Sequence, residues 1–202
     1  MANRIITIGR QFGSGGREVG KKLADSLGIG FYDKELIELA AEKTDIDIGR
    51  LVDVDEKNLR GYSNQMPFDA ELMSRYGIQN ASDILYQLQA TVIIEIAKKE
   101  SCVIVGRCSN YVLRNNPDAR HVFLYAELET RVERICRLTK LPEQEARELI
   151  QKTDKQRKYY YSYYTDRRWG QMEDYNVTID CGAVGIEATI NMLRALYEGI
   201  GK

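Results

Sequence analysis

The chain of 202 residues carries 29 Lys and Arg against 30 Asp and Glu, a formal net charge of -1 at pH 7, and 44% hydrophobic residues. That balance describes one soluble globular domain with enough apolar side chains for a sizeable interior, and it excludes a global electrostatic pull toward nucleic acid or an anionic membrane. One histidine, His121, excludes His-rich zinc sites and leaves any histidine-based nucleophile system dependent on a single imidazole.

Short β-branched runs alternate with helical patterns, the rhythm of parallel strands joined by crossover helices. In chain order, strands are expected at Arg4–Ile8, Gly30–Tyr32, Cys102–Val105, His121–Tyr125 and Asn176–Asp180. Runs such as CVIV and HVFLY are apolar on consecutive positions, which fits strands covered on both faces. Helical spacing runs over Glu18–Leu27, Lys34–Lys43, Ser82–Glu100, Glu129–Leu138, Pro142–Tyr164 and Ile186–Tyr197. In the last of these, Ile186, Ile190, Leu193 and Tyr197 form one apolar face.

Two stretches interrupt the rhythm: the polar, Gly- and Pro-containing segment 44–79, read as an insertion, and the Lys-, Arg- and Tyr-rich segment 139–171. Tyr159, Tyr160, Tyr161, Tyr163 and Tyr164 in the latter read as a packing seam rather than a base-stacking platform. Cys102, Cys108, Cys136 and Cys181 lack CxxC spacing and are expected as reduced, mostly buried thiols. With no export signal at Met1–Arg10 and no apolar stretch near the ~20 residues of a spanning helix, the expected compartment is the cytoplasm.

The strongest chemical signal is RIITIGRQFGSGGREVGKKLA, an apolar strand that enters Gly9, Gly13, Gly15 and Gly16 and then a helix. Glycines permit positive φ and close backbone approach, and the helix start directs unpaired N–H groups at an anion, so phosphate is the natural ligand. G-x-G-x-x-G fails, because Glu18 falls where its last glycine belongs. G-x-x-x-x-G-K-[ST] fails as well: Gly16 stands in the lysine place and Arg17 and Glu18 follow, leaving Arg17, Lys21 and Ser14 as substitutes.

Together with FYDKELIELAA, VIVGRCSNYVLRNNPDA, FLYAELETRVERI and YNVTIDCGAVGIEATI in the same order, this segment resembles the cytidylate kinase-like branch of the P-loop nucleoside monophosphate kinases over nearly the whole chain. The resemblance implies one α/β domain over 1–202. It implies a three-layer α/β/α P-loop kinase fold with a parallel five-stranded sheet, an NMP-binding insertion at 44–79 and a lid at 139–171. It implies transfer of the γ-phosphoryl group of ATP, with Mg2+, to a nucleoside monophosphate.

Carried over residue by residue, it places Gly13, Ser14, Gly15, Gly16 and Arg17 around the ATP phosphates and Asp33 beside the acceptor. By the same resemblance Arg107 would hold the acceptor phosphate, Arg131 and Arg134 would stand on the ATP side at the lid entrance, and Asp154 and Arg157 would form the lid's D-x-x-R. Arg17, Arg107, Asp154 and Arg157 are the catalytic candidates; the metal ligands stay unassigned. Cys108, Leu39 and Ile150 depart from the family, standing where an aspartate and two arginines are expected. The alternatives are a nucleotide-binding regulatory module without efficient transfer, and a kinase for a different small molecule. Partners are ATP and a small acceptor, without nucleic acid or membrane.

Overall fold

The computed structural model describes residues 3–33, 36, 38–39 and 81–201. Five strands, β1 (Ile5–Arg10), β2 (Gly30–Tyr32), β3 (Cys102–Val105), β4 (Ala119–Tyr125) and β5 (Val177–Asp180), form one sheet in the order β2-β3-β1-β4-β5. Every pairing is parallel, with Ile5 opposite Cys102 and Ala119, and Val122 opposite Val177. The longer helices are α1 (Gly16–Leu27), α2 (Ala81–Lys99), α4 (Leu128–Thr139), α5 (Glu143–Thr165) and α7 (Ile186–Glu198), with short α3 (Ser109–Val112) and α6 (Cys181–Val184) between them.

The consecutive apolar residues of the strands divide between the two faces, as the side-chain period of two requires. Ile5, Cys102 and Ile104 pack with Ile84, Leu88, Val92, Ile93 and Ile96 of α2. Ile6, Ile8, Val103, Val105, Val122 and Leu124 pack with Val19 and Leu23 of α1 and Ile190 and Leu193 of α7. Helices therefore cover both faces, and each buried Leu or Ile contributes roughly 1.5–3 kcal/mol relative to exposure. A smaller cluster, Val132, Ile135, Ala146 and Ile150 with Phe12 against it, joins α4 to α5 beyond the sheet. Ile150 thus serves as apolar contact where the resemblance expects an arginine.

The structure departs from the expected bounds where pairing or capping overrides local pattern. β1 runs two residues past Ile8, because Gly9 and Arg10 pair with Phe123 and Leu124. Three short elements went unanticipated: α3, α6 and a 3-10 turn at Met172–Asp174. α6 is set by Asp180, whose carboxylate accepts from the Gly182 and Ala183 N–H groups at 2.9 and 3.1 Å. Of the helix expected over Lys34–Lys43, only 36, 38 and 39 are described, all helical, with Leu36 buried against α2. The insertion expected at 44–79 lies outside the described residues.

The four cysteines are all free thiols, three of them buried. Tyr160 and Tyr161 pack on Cys108 with Tyr86, Tyr111, Tyr164 and Trp169, while Tyr159 and Tyr163 stay exposed. The tyrosine run is therefore a seam on one side of α5, as its helical spacing dictates.

His121 sits on β4 with Nδ1 2.8 Å from the Thr7 hydroxyl. Burial, helped by the neighbouring Arg120 charge, pushes its pKa down from 6.5 to about 4. A folded-state value below the unfolded one means stability complete above pH 6.5 and lost as pH falls toward 4, by up to about 3 kcal/mol from this group. Denaturant titrations of wild type and His121→Gln between pH 4 and 7 check this: the variant should lack that share of the acid loss. Parallel pH profiles would refute it.

Candidate phosphate-binding site

β1 and β3 are neighbours in register, Ile8 opposite Val105, so their carboxyl ends deliver Gly9–Arg10 and Gly106–Arg107 side by side. The crevice beyond the carboxyl ends of parallel strands is where open α/β sheets bind ligands. Here Arg10, Arg107 and Arg157 line one cleft together with Asn110, Tyr161 and Trp169. Three arginines line it, and no carboxylate does so among the described residues.

Arg107 is 6% exposed. The chain reaches it through three successive left-handed residues, Gly106, Arg107 and Cys108, with φ of 79°, 56° and 52°. The two non-glycine residues each cost about 1–2 kcal/mol in that region, and strain of this kind gathers at functional sites. Cys108 is buried under Tyr160 and Tyr161, so it supplies packing where the resemblance expects a base-reading aspartate.

The glycine turn leads into α1 with Gly13 at φ 81° and Gly15 at φ 92°. A Cβ on Gly13 would stand 3.1 Å from both the Cβ and the carbonyl oxygen of Arg131, so this glycine lets α4 close on the loop. Ser14 is buried and donates its hydroxyl to the Gln11 carbonyl at 2.9 Å. No side chain caps α1 at Gly15, which leaves the N–H groups of its first turn, Gly16, Arg17 and Glu18, without intrahelical acceptors. That donor set, with the arginines beside it, fits a polyphosphate.

For Mg2+ the fit is poorer. Among the described residues there is no group of three His, Cys, Asp or Glu able to hold a metal. Arg17 stands where the P-loop pattern places a hydroxyl, and the neighbouring Glu18 is engaged by Arg134 and Lys22. Burial pulls the Glu18 carboxyl upward, but these two cations outweigh it and hold it below its usual range.

The remaining sequence candidates surround the turn. Asp154 of α5 accepts from the Phe12 N–H at 2.7 Å and from Arg131 Nη1 at 2.5 Å. Arg131 is 8% exposed and also donates to the Phe12 carbonyl at 3.2 Å; its buried Nε has no hydrogen-bond acceptor. Arg157, one turn after Asp154, donates to the Arg10 carbonyl at 3.2 Å and lies over the Phe12 ring. Asp33, 3% exposed, receives Arg17 Nε at 2.7 Å, with Arg10 Nη2 3.5 Å from its other oxygen. Arg17 is more than half exposed.

The structure therefore brings Arg107 and Arg157 into one cleft and gathers Asp33, Arg131, Arg134 and Asp154 around the turn. The residue that sequence reasoning missed is Arg10. Its signal was a charge at the last position of an apolar strand, where a guanidinium needs an anion or a cleft.

Residues 5–183 match the cytidylate kinase-like family. Among solved structures, the chain is similar to an uncharacterized protein from Eubacterium ventriosum ATCC 27560, at 28% identity and TM-score 0.74 over 98% of this chain and 99% of that one. It is also similar to a shikimate kinase from Bacteroides thetaiotaomicron, at 16% identity and TM-score 0.53 over 96% and 98% of the two chains. A gluconokinase from Sinorhizobium meliloti 1021 matches at 17% identity and TM-score 0.51, over 98% and 94%. No curated protein sequence matches the chain. The last two likenesses are of fold, that of the P-loop kinases. No helix among the described residues is long and apolar enough to cross a membrane.

Proposed function

We propose that this protein, which belongs to the cytidylate kinase-like family, transfers the γ-phosphoryl group of ATP to a small acceptor, a nucleoside monophosphate, in the cytoplasm. The observation that carries the reading is the meeting of Arg10, Arg107 and Arg157 at the carboxyl ends of β1 and β3, beside the uncapped start of α1. Phosphoryl transfer needs in-line placement and neutralisation of charge on the equatorial oxygens more than covalent chemistry. Guanidinium donors held in place at the moment of transfer supply that neutralisation.

In this reading the turn Gly13–Arg17 receives the ATP phosphates, Arg131 and Arg134 flank it, and Arg107 takes the acceptor phosphate with Asp33 close by. Segment 139–171 acts as the lid and 44–79 as the acceptor-binding insertion. Asp154 and Arg157 move with the lid, close over the transferring group and exclude water. Mg2+, when bound, neutralises phosphate charge; it would arrive on the ATP oxygens rather than in a protein cage. Free cysteines throughout support the cytoplasm as compartment.

The bare Gly16 in the lysine place favours a second reading, a nucleotide-binding module without efficient transfer. The departure at Cys108 favours a third, a kinase for another small molecule. Calorimetry with ATP and Mg2+, followed by coupled ADP release over the common nucleoside monophosphates, tests all three. Turnover on one of them is the expected result. Binding without turnover on any acceptor supports the module, turnover confined to other acceptors supports the third reading, and no ATP binding defeats them all.

A further inference from the structure

We infer that Arg10 supplies the cation that the glycine turn lacks, its guanidinium taking the place of the missing lysine on the transferring phosphoryl group. This rests on the phosphoryl-transfer reading above. Gly16 has no side chain to offer, and a Cβ built on it meets Arg10 Cβ at 2.6 Å and Cγ at 3.0 Å. The Arg10 stem thus occupies the space into which a residue at position 16 would grow. At the far end, a Cβ on Gly106 would overlap Arg10 Nη1 and stand 3.0 Å from Cζ. Two glycines, 90 positions apart on separate loops, are therefore needed to seat this one side chain, which makes its path a built slot rather than a chance rotamer.

The charge in that slot is poorly answered by the protein. The Arg10 side chain is 11% exposed, and its ion pair with Asp33 spans 3.5 Å, longer than a hydrogen bond. Asp33 is meanwhile held at 2.7 Å by Arg17. A nearly buried guanidinium with five donors and one distant carboxylate calls for an anion. It shares its cleft with Arg107 and Arg157 and with no carboxylate among the described residues. Arg17, the substitute that the sequence pattern offers, is exposed and committed through Nε to Asp33, so it orients that carboxylate instead.

In the step itself an acceptor phosphate oxygen forms the new bond to Pγ while the bond to the β,γ-bridging oxygen breaks, and ADP leaves with the electron pair. Arg10 stays protonated throughout and donates to the equatorial oxygens and the leaving oxygen; no proton passes through it.

The test measures ATP affinity by calorimetry and turnover on the best acceptor for wild type, Arg10→Met, Arg17→Ala, Arg10→Gly and the double variant Arg10→Gly/Gly16→Lys. Arg10→Met keeps a stem over Gly16 and removes the charge, so it carries the test should Arg10→Gly unfold. Arg10→Met is expected to weaken ATP binding at least about tenfold and turnover about a hundredfold, with Arg17→Ala costing less on both. The double variant, which clears the stem and restores a lysine in its usual place, should regain about tenfold in affinity over Arg10→Gly. Arg10→Met within threefold of wild type on both readouts, or a folded double variant no better than Arg10→Gly, overturns the assignment and leaves the kinase reading standing. A wild-type protein that does not bind ATP overturns both.

Discussion

Replacing Arg107 with alanine is expected to lower kcat/KM on the best acceptor by about 10²–10³, equivalent to about 2.7–4 kcal/mol of transition-state stabilisation, while ATP affinity changes little. The magnitude follows from the setting. Arg107 is 6% exposed, lines a cleft without a lining carboxylate among the described residues, and sits on a left-handed backbone of the kind that gathers at functional sites. Alanine keeps that backbone cost and removes the guanidinium. Arg107→Gly removes the guanidinium and the cost together. If the charge is what matters, both variants lose activity equally, although the glycine variant melts at a higher temperature than the alanine one. Kinetics unchanged from wild type in both would refute the role of Arg107 in holding the acceptor phosphate, whatever their melting temperatures.

The parts of this site legible in the sequence are those set by short-range chemistry. Strand, glycines and helix start follow one another within 20 residues, and a strand apolar on successive positions announces burial on both faces; Ile5 and Ile6 indeed enter opposite cores. Arg107 was legible for the same reason, as a charge placed directly after an apolar strand and a glycine. The five parallel strands were expected from the resemblance, but their order was not, because periodicity says which face a residue buries and nothing about which strand lies alongside. Arg10 escaped for a tertiary reason. Its role depends on Gly106, which reads locally as an ordinary strand-end glycine and becomes informative only when the Arg10 guanidinium is seen lying across it. Asp154 shows the same limit: a D-x-x-R step on a polar helix is indistinguishable from a surface ion pair until the Phe12 N–H, 142 positions away, is found beneath it.

That contact carries the largest expected effect on stability. Asp154→Ala should destabilise the fold by about 3 kcal/mol, the low end of the range for breaking a buried ion pair, since the Asp154 side chain is 17% exposed. At this chain length the corresponding drop in Tm is roughly 6–12 °C. The loss comes less from the attraction itself than from what is left behind. The Arg131 guanidinium would keep only the Phe12 carbonyl, with its Nε already lacking an acceptor, and the Phe12 N–H would lose its carboxylate. Removing the stranded charge as well should therefore restore stability: Arg131→Met/Asp154→Ala is expected to be more stable than Asp154→Ala alone, a coupling of about 1–3 kcal/mol in a double-mutant cycle. Asp154→Asn, which keeps an acceptor for the Phe12 N–H but not the charge, should fall between wild type and Asp154→Ala. Strictly additive losses would mean that the two side chains are stabilised separately, and that α5 is not fastened to the glycine turn through this pair. Because the same carboxylate fixes Phe12, whose carbonyl and ring receive Arg131 and Arg157, weakening it should also loosen the geometry of the turn: ATP affinity is expected to fall in Asp154→Ala and to recover only partly in the double variant, since Arg131→Met restores packing but not the anchored loop.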